Sequence, residues 1–115
     1  MVLLIDDEPE KKHFQIGVDR IARTYGEGIA ALQERRWDLL LLDHDLGEFD
    51  ADGNELTGHS VATWLENNPS YLPIQVVAVS RSPVGKDRIN AAIESARRRA
   101  EREGIDTEGP LGVTL

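Results

Sequence analysis

Short apolar runs, each ended by acidic or small polar residues, dominate the hydrophobic pattern of this chain. The runs VLLI at residues 2–5, LLLL at 39–42 and QVVAV at 75–79 lack the alternation of apolar and polar positions that a half-exposed strand shows. Uninterrupted runs of this length are typical of parallel strands that are buried on both faces. A further short strand is predicted at residues 20–24.

Segments with helical spacing of apolar residues separate these strands. Helices are expected at residues 9–17, 28–36, 58–68 and 83–103. The last of them has Ser82 as a candidate N-cap and Pro83 in its first turn, two positions that these residue types favour. Strands that alternate with helices predict an α/β fold with a short parallel sheet covered on both faces.

The stretch GEFDADGNELTG at residues 47–58 is polar and interrupted by glycines, and it is predicted to be a loop with an optional hairpin turn at Asp52–Gly53. The spacing of Glu48, Asp50 and Asp52 follows that of an EF-hand calcium loop. The twelfth position is His59, where a bidentate glutamate belongs, so calcium binding is not expected there.

The length of 115 residues fits a single domain over residues 1–115. No apolar run approaches the roughly 20 residues of a membrane helix, and no basic segment precedes the first apolar run as in a signal peptide. The chain contains no cysteine, which excludes disulfides and thiolate metal sites. Together these features favour a cytoplasmic protein without membrane contact.

The net charge of −8 is unevenly distributed. Residues 81–103 contain seven of the 13 lysines and arginines but only four of the 21 acids. A basic helix on an acidic body is able to bind phosphate or nucleic acid. Alternatively, it is a solvated helix whose charges pair four residues apart.

Polar side chains follow directly after the three strongest strands. Asp6 and Asp7 follow the first, the run Asp43-His44-Asp45 follows the third, and Ser80 follows the last. In parallel α/β sheets, ligands bind at the carboxyl ends of the strands. An acid cluster at that edge suits Mg²⁺ or Mn²⁺, which bind carboxylate oxygens. The alternative is that these acids cap helices and turns.

A phosphate pocket is expected beside the acids. The Ser80 hydroxyl is a candidate donor to a phosphate oxygen. The N-terminus of the following helix, from Ser82 to Gly85, offers N–H groups and the positive end of a helix dipole. Lys86 lies one position further along.

This pattern resembles the receiver domains of two-component signalling over residues 1–80. Asp6-Asp7 corresponds to their metal-binding acid pair, Asp43 to their phospho-accepting aspartate, and Ser80 to the hydroxyl residue that ends their fourth strand. The resemblance implies a three-layer, flavodoxin-like fold. A fifth strand ending in Lys-Pro, which receivers use to contact the phosphoryl group, is missing or atypical in this sequence.

The motifs LDHDLG at residues 42–47, TGHSVATWL at 57–65 and VSRSPVGKDRI at 79–89 are similar to a narrower group, the cyclic-phosphate processing receivers, over most of residues 1–98. This resemblance implies a domain that processes or binds cyclic phosphate ends of RNA or nucleotides with a divalent metal, and an RNA-repair protein as a further partner. It also implies a metal-dependent phosphoesterase.

Each polar residue then receives a role. Asp6, Asp7, Asp43 and Asp45 are expected to bind the metal, Asp45 because a residue two positions beyond Asp43 on an extended chain points to the same side. Asp43, His44 and His59 are the candidate catalytic residues, the histidines as groups that take or give a proton.

Three functions remain open on the sequence alone. They are a cyclic-phosphate phosphoesterase or binding domain, a true receiver that is phosphorylated on Asp43, and a protein-interaction module without turnover. The oligomeric state is not predicted.

Overall fold

The computed structural model of the chain describes residues 1–11 and 17–105. In chain order the strands and helices are β1 (Val2–Ile5), β2 (Arg20–Ala22), α1 (Tyr25–Glu34), β3 (Leu39–Leu42), β4 (Asp45–Phe49), β5 (Glu55–Thr57), α2 (Gly58–Asn67), β6 (Gln75–Ala78) and α3 (Pro83–Arg102). Short 3₁₀ helices are formed by Pro9–Lys11 and Pro69–Tyr71.

Four of the strands form a parallel sheet in the order β2-β1-β3-β6. β1 and β3 are neighbours over their full length, from Val2 beside Leu39 to Ile5 beside Leu42. This order is that of flavodoxin-like sheets, whose ligands bind at the switch point between the first and third strands. The predicted receiver-like α/β fold is therefore confirmed, with no fifth parallel strand in the described part of the chain.

The core lies between one face of the sheet and the three helices. Alternate residues of a strand share a face, and those of β1 and β3 on the inner face pack in one buried cluster with residues from every helix. This cluster includes Leu3, Ile5, Leu40, Leu42, Leu32 of α1, Leu65 of α2 and Ile93 of α3. α2 and α3 pack beside each other, and both begin near the residue pair that follows β3, since the Gly58 N–H donates to the His44 carbonyl and Gly85 lies against the His44 ring.

The helix boundaries follow from their caps. α3 begins as predicted, with the Ser82 Oγ accepting the Gly85 N–H at 3.1 Å and Pro83 in the first turn. α1 begins at Tyr25, three residues before the predicted start, because the Thr24 Oγ1 accepts the Glu27 N–H at 3.1 Å. Of the helix predicted at residues 9–17, only the 3₁₀ turn at Pro9–Lys11 is described, and residues 12–16 lie outside the described part.

Two predictions about strands are wrong. The stretch at residues 47–58 is not a plain loop, because β4 and β5 pair in an antiparallel hairpin; the hairpin turn considered at Asp52–Gly53 does lie in the connection between them. β6 is not buried on both faces, and Val77 is 37% exposed. The reason is its position, since β6 is an edge strand whose outer side has no partner strand among the described residues.

Within residues 1–11 and 17–105, no helix combines the length and apolar character needed to cross a membrane. The single domain over residues 1–115 and the cytoplasmic location stay predictions.

Candidate metal and phosphate site

Backbone pairing beyond the strand ends brings the first acids together. The Asp43 N–H donates to the Ile5 carbonyl at 3.0 Å, and the Asp6 N–H donates to the Ala22 carbonyl at 3.0 Å. The ladder therefore continues one residue past β1 and β3, and Asp6 and Asp43 are held at neighbouring positions. The carboxyl ends of β1, β3 and β6 form the edge that we call the rim.

Three carboxylates converge at the rim. One oxygen each of Asp6, Asp7 and Asp43 lies within 4.8 Å of the others, and this group is called the rim cluster. Asp6 is fully buried and Asp43 is 5% exposed. The Asp6 Oδ1 also accepts the Glu8 N–H at 3.0 Å.

The donor set of the rim cluster fits a hard divalent cation. All three ligands are carboxylate oxygens, two of them from buried side chains, and Mg²⁺ and Mn²⁺ bind such oxygens in preference to nitrogen or sulfur. Negative charges that are buried next to one another cost free energy, which a bound cation offsets. The residues present therefore fit the predicted metal, while metal binding itself stays a prediction.

The structure does not bring Asp45 into the rim cluster. Asp45 begins β4, and its side chain is 74% exposed and lies beside that of His44. Its Oδ1 lies 3.0 Å from the Nδ1 of His44. The chain turns at this point into the β4–β5 hairpin, so the extended geometry that predicted a shared side for Asp43 and Asp45 does not apply.

The two candidate histidines have different surroundings. The side chain of His44 is only 17% exposed, and its ring packs on Gly85 in the first turn of α3. His59 is the second residue of α2, where its N–H donates to the cap oxygen of Thr57 at 3.1 Å. Among the described residues, His59 is not part of the group that could hold a metal.

The predicted phosphate residues form a hydrogen-bonded helix start. The Ser80 Oγ accepts the Ser82 N–H at 3.0 Å, and the Ser82 Oγ accepts the Gly85 N–H at 3.1 Å. Each hydroxyl still has its own proton to donate. Ser80 is buried and Lys86 is exposed. The N–H groups of Ser82 and Gly85 are thus already bonded within the protein, and the hydroxyls are the better candidate phosphate donors.

Two glycines at the rim were missed by sequence reasoning. A Cβ at Gly58 would lie 2.0 Å from the Asp43 carbonyl oxygen, and the Gly58 N–H donates to the His44 carbonyl at 2.8 Å. Gly47 has a φ of +60°, and a Cβ there would lie 3.2 Å from the Asp7 Oδ2. In the sequence, each of them is only a glycine near an acidic motif. Such glycines are too common to indicate that the backbone approaches an aspartate closely.

The loop between β4 and β5, residues 50–54, is not an EF-hand, because strands rather than helices flank it. The Asp50 Oδ1 accepts the N–H groups of Asp52 and Asn54, both at 2.9 Å. These bonds, that of Asn54 foremost, lower the pKa of the Asp50 carboxyl below its ordinary value. The Glu48 Oε1 accepts the Tyr25 N–H at 2.8 Å and so ties the hairpin to the start of α1.

Some of the arginines of α3 form hydrogen bonds within the fold. The Arg97 guanidinium donates to the Ile74 carbonyl at 2.9 Å, and the Arg99 guanidinium donates to the Glu66 carbonyl at 3.1 Å and pairs with Glu103. These bonds attach the helix to the segments before β6 and at the end of α2. Both explanations of the basic charge therefore stay open for the exposed arginines, Arg88, Arg98 and Arg102.

Comparisons with known proteins found one matching family model and similar solved structures. Residues 1–95 match the model of the family described as the cyclic-phosphate processing receiver domain. The chain is similar to the crystal structure of the receiver domain of NtrX from Brucella abortus, with 18% identity and a TM-score of 0.48 over 85% of this chain and 98% of that one. It is also similar to a longer structure of NtrX from Brucella abortus, with 18% identity and a TM-score of 0.46 over 99% of this chain and 31% of that one. No curated protein matches the chain significantly.

Proposed function

The chain belongs to the cyclic-phosphate processing receiver domain family, and from this premise we propose that it binds and hydrolyses cyclic phosphodiesters, such as the 2′,3′-cyclic ends of RNA or nucleotides. The observation that carries the proposal is the convergence of Asp6, Asp7 and Asp43 at the switch point of the sheet. Flavodoxin-like sheets bind their ligands at this point.

Asp6, Asp7 and Asp43 would hold Mg²⁺ or Mn²⁺. When bound, such a cation neutralises charge on the phosphate oxygens and stabilises the negative charge that develops in the transition state. Ser80 and Ser82 donate their hydroxyl protons to the same phosphate from the neighbouring strand end. The exposed arginines of α3 provide a positive surface for the remainder of an RNA strand.

Hydrolysis opens the phosphate ring. The oxygen of a water molecule forms a new bond to phosphorus, and one of the two ring P–O bonds breaks. His44 takes the proton that the attacking water loses, a solvent water gives a proton to the leaving 2′- or 3′-oxygen, and the product is a phosphomonoester. His44 is preferred over His59 because its ring is held between Asp45 and α3.

A true receiver is the second candidate, and the position of Asp43 favours it. The side chain is almost buried, follows β3 and lies in an acid cluster, which is the arrangement that receivers phosphorylate. The sequence contains no Lys-Pro pair, however, and its three lysines are Lys11, Lys12 and Lys86. The lysine that contacts the phosphoryl group in receivers therefore has no direct counterpart.

One experiment separates these functions. The purified protein is incubated with a 2′,3′-cyclic nucleotide and Mg²⁺ or Mn²⁺, and in parallel with a small-molecule phosphodonor. We expect the protein to form a nucleoside monophosphate from the cyclic nucleotide. This formation should require the metal and should be abolished by a chelator or by Asp43→Asn. Stable labelling of Asp43 by the phosphodonor, without binding or turnover of the cyclic nucleotide, would overturn the proposal in favour of a receiver. Absence of both reactions would indicate an interaction module.

A further inference from the structure

His44 is held on two sides by groups that are unrelated to the rim cluster. On one side its Nδ1 lies 3.0 Å from the Asp45 Oδ1. An ionised carboxylate has no proton to donate. The hydrogen bond therefore requires that Nδ1 carries the proton.

The other side of the ring rests on α3. A Cβ at Gly85 would lie 2.7 Å from the His44 Cγ, 3.0 Å from its Cβ and 3.1 Å from its Cδ2. Only glycine lets the ring approach the helix this closely. The turn itself is fixed, because the Gly85 N–H donates to the Ser82 Oγ. Rotation of the ring is therefore limited by the helix on one side and by Asp45 on the other.

The backbones of the pair are held by different elements. The His44 carbonyl accepts the Gly58 N–H at 2.8 Å, at the start of α2. Asp45 lies opposite Thr57 in the antiparallel hairpin, just before a bulge. A bulge redirects side chains locally, and here it follows the residue whose carboxylate reaches the imidazole. β4 and α2 thus both fix the position of the pair.

We infer that Asp45 is a positioning residue for His44 and not a metal ligand. It holds the imidazole in the Nδ1–H tautomer, so that the lone pair of Nε2 is left to accept the proton of the attacking water. Among the described residues, Nε2 has no hydrogen-bond partner that would block this use. This inference rests on the proposed function and deepens it, because it assigns the proton acceptor and the group that orients it.

The chemistry of the imidazole ring supports this role of Asp45. A neutral imidazole accepts through only one of its nitrogens, and the hydrogen bond made by the other nitrogen decides which one. Partners that orient metal-binding histidines through the other ring nitrogen typically contribute about 10- to 100-fold to metal affinity or activity, and we expect an effect of that size for the partner of a proton-accepting histidine. The hairpin then has a role in the reaction, because it carries the carboxylate to the histidine.

Asp45→Asn tests the assignment. The amide can donate to Nδ1, so we expect the imidazole to shift towards the Nε2–H tautomer, which cannot accept a proton at Nε2. The tautomer is read from the ¹⁵N shifts and long-range couplings of the His44 ring by NMR. We expect kcat on a 2′,3′-cyclic nucleotide to fall about 10- to 100-fold with little change in KM. Asp52→Asn, an exposed aspartate of the same hairpin, should leave tautomer and kcat unchanged.

A metal titration separates positioning from ligation. If Asp45 positions His44, Mn²⁺ should raise the melting temperature of Asp45→Asn as much as that of the wild type. Loss of the Mn²⁺ effect in this variant, or a wild-type ring that is Nε2–H, would overturn the inference. So would an unchanged kcat in both Asp45→Asn and Asp45→Ala.

The tautomer measurement needs no activity, so the two proposals fail separately. Suppose that the wild type turns over no cyclic phosphate, but that its His44 is the Nδ1–H tautomer and shifts to Nε2–H in Asp45→Asn. The proposed function then fails, while the positioning of His44 by Asp45 is confirmed. If the wild type is active and both Asp45→Asn and Asp45→Ala keep full kcat, the positioning role fails while the proposed function stands.

Discussion

The rim cluster and the loop of residues 50–54 are both rich in carboxylates, but they use them in opposite ways. In the loop, Asp50 accepts N–H groups from residues two and four positions further along the same turn. In the rim cluster, oxygens of Asp6, Asp7 and Asp43 lie close together although the first two follow β1 and Asp43 follows β3, more than 30 positions further along the chain. The loop satisfies its acid locally, whereas the rim concentrates acids through the sheet.

This difference explains why the more conspicuous acidic motif is the less promising site. Aspartate readily accepts N–H groups two residues on, so a run of acids and glycines in a turn usually stabilises that turn. At the rim, Asp6 also accepts the N–H of Glu8 two residues on, but its carboxylate lies close to those of Asp7 and Asp43 as well. A metal site is therefore indicated by convergence of carboxylates from different elements rather than by their density along the chain.

The largest difference between the two regions is expected from their glycines. In Gly58→Ala the new Cβ would meet the Asp43 carbonyl oxygen at 2.0 Å, so backbone must move, and the free energy of unfolding should fall by about 3 kcal/mol. Gly53→Ala places a side chain in open space at a φ of +83° and should cost only about 1 kcal/mol. Urea unfolding of both variants measures the difference.

A matched control is Gly26→Ala, since a Cβ at Gly26 in α1 meets nothing within 4 Å. This helical position should tolerate alanine or gain slightly from it. A Gly58→Ala protein as stable as Gly26→Ala would show that the rim is not tightly packed against α2.

The second largest difference between the rim cluster and the loop of residues 50–54 is expected from metal binding. At a concentration about 100 times its Kd, Mn²⁺ should stabilise the wild type by about 2.7 kcal/mol, because it binds only the folded state. Asp43→Asn should abolish this metal-dependent increase, and Asp50→Asn should retain it. Thermal unfolding with and without Mn²⁺ gives the increase for each protein. Loss of the increase in Asp50→Asn alone would place the ion in the hairpin loop.

The smallest effect on stability is expected from the protonation of Asp50 in the hairpin loop at low pH. Hydrogen bonds from the N–H groups of Asn54 and Asp52 lower the pKa of Asp50 in the folded state. Its stabilising contribution is therefore present above the unfolded pKa of about 3.9 and is lost as the pH falls through the lower folded value. Amide NMR shifts of Asp52 and Asn54 should report a titration below about pH 3.9.

Asp50→Asn is the control for this measurement and should remove the titration from both amides. A midpoint above the ordinary range of aspartate would contradict the local capping of Asp50 and would remove the contrast with the rim.

Much of the fold was predictable because it follows from local pattern. β1 and β3 lie within the predicted ranges, because uninterrupted apolar runs of this length are typical of central strands in a parallel sheet. α3 begins at Pro83 because Ser82 and Pro83 satisfy the first turn through side chain and ring geometry. The proximity of Asp6, Asp7 and Asp43 also follows, because parallel neighbours must end at one edge.

The remainder of the site required long-range information. Nothing in the local sequence indicated that Asp45 turns away from Asp43 to reach His44, because that depends on the hairpin between β4 and β5. The exposure of Val77 likewise depends on which strand lies at the sheet edge. Hydrophobicity alone does not distinguish an edge strand from a central one.

The sequence by itself determined which segments are strands and helices in the strongest cases, and which polar residues stand at the ends of those strands. Periodicity, capping and chain direction act over a few residues, so they can be read along the chain. The tertiary structure alone decided how closely those polar residues approach one another and which of them pair away from the rim cluster, as Asp45 does with His44. Distances between Asp7 and Asp43, or between His44 and Gly85, depend on sheet register and on how closely helices approach. Both are set by packing over the whole domain, to which any single stretch of sequence contributes only a part.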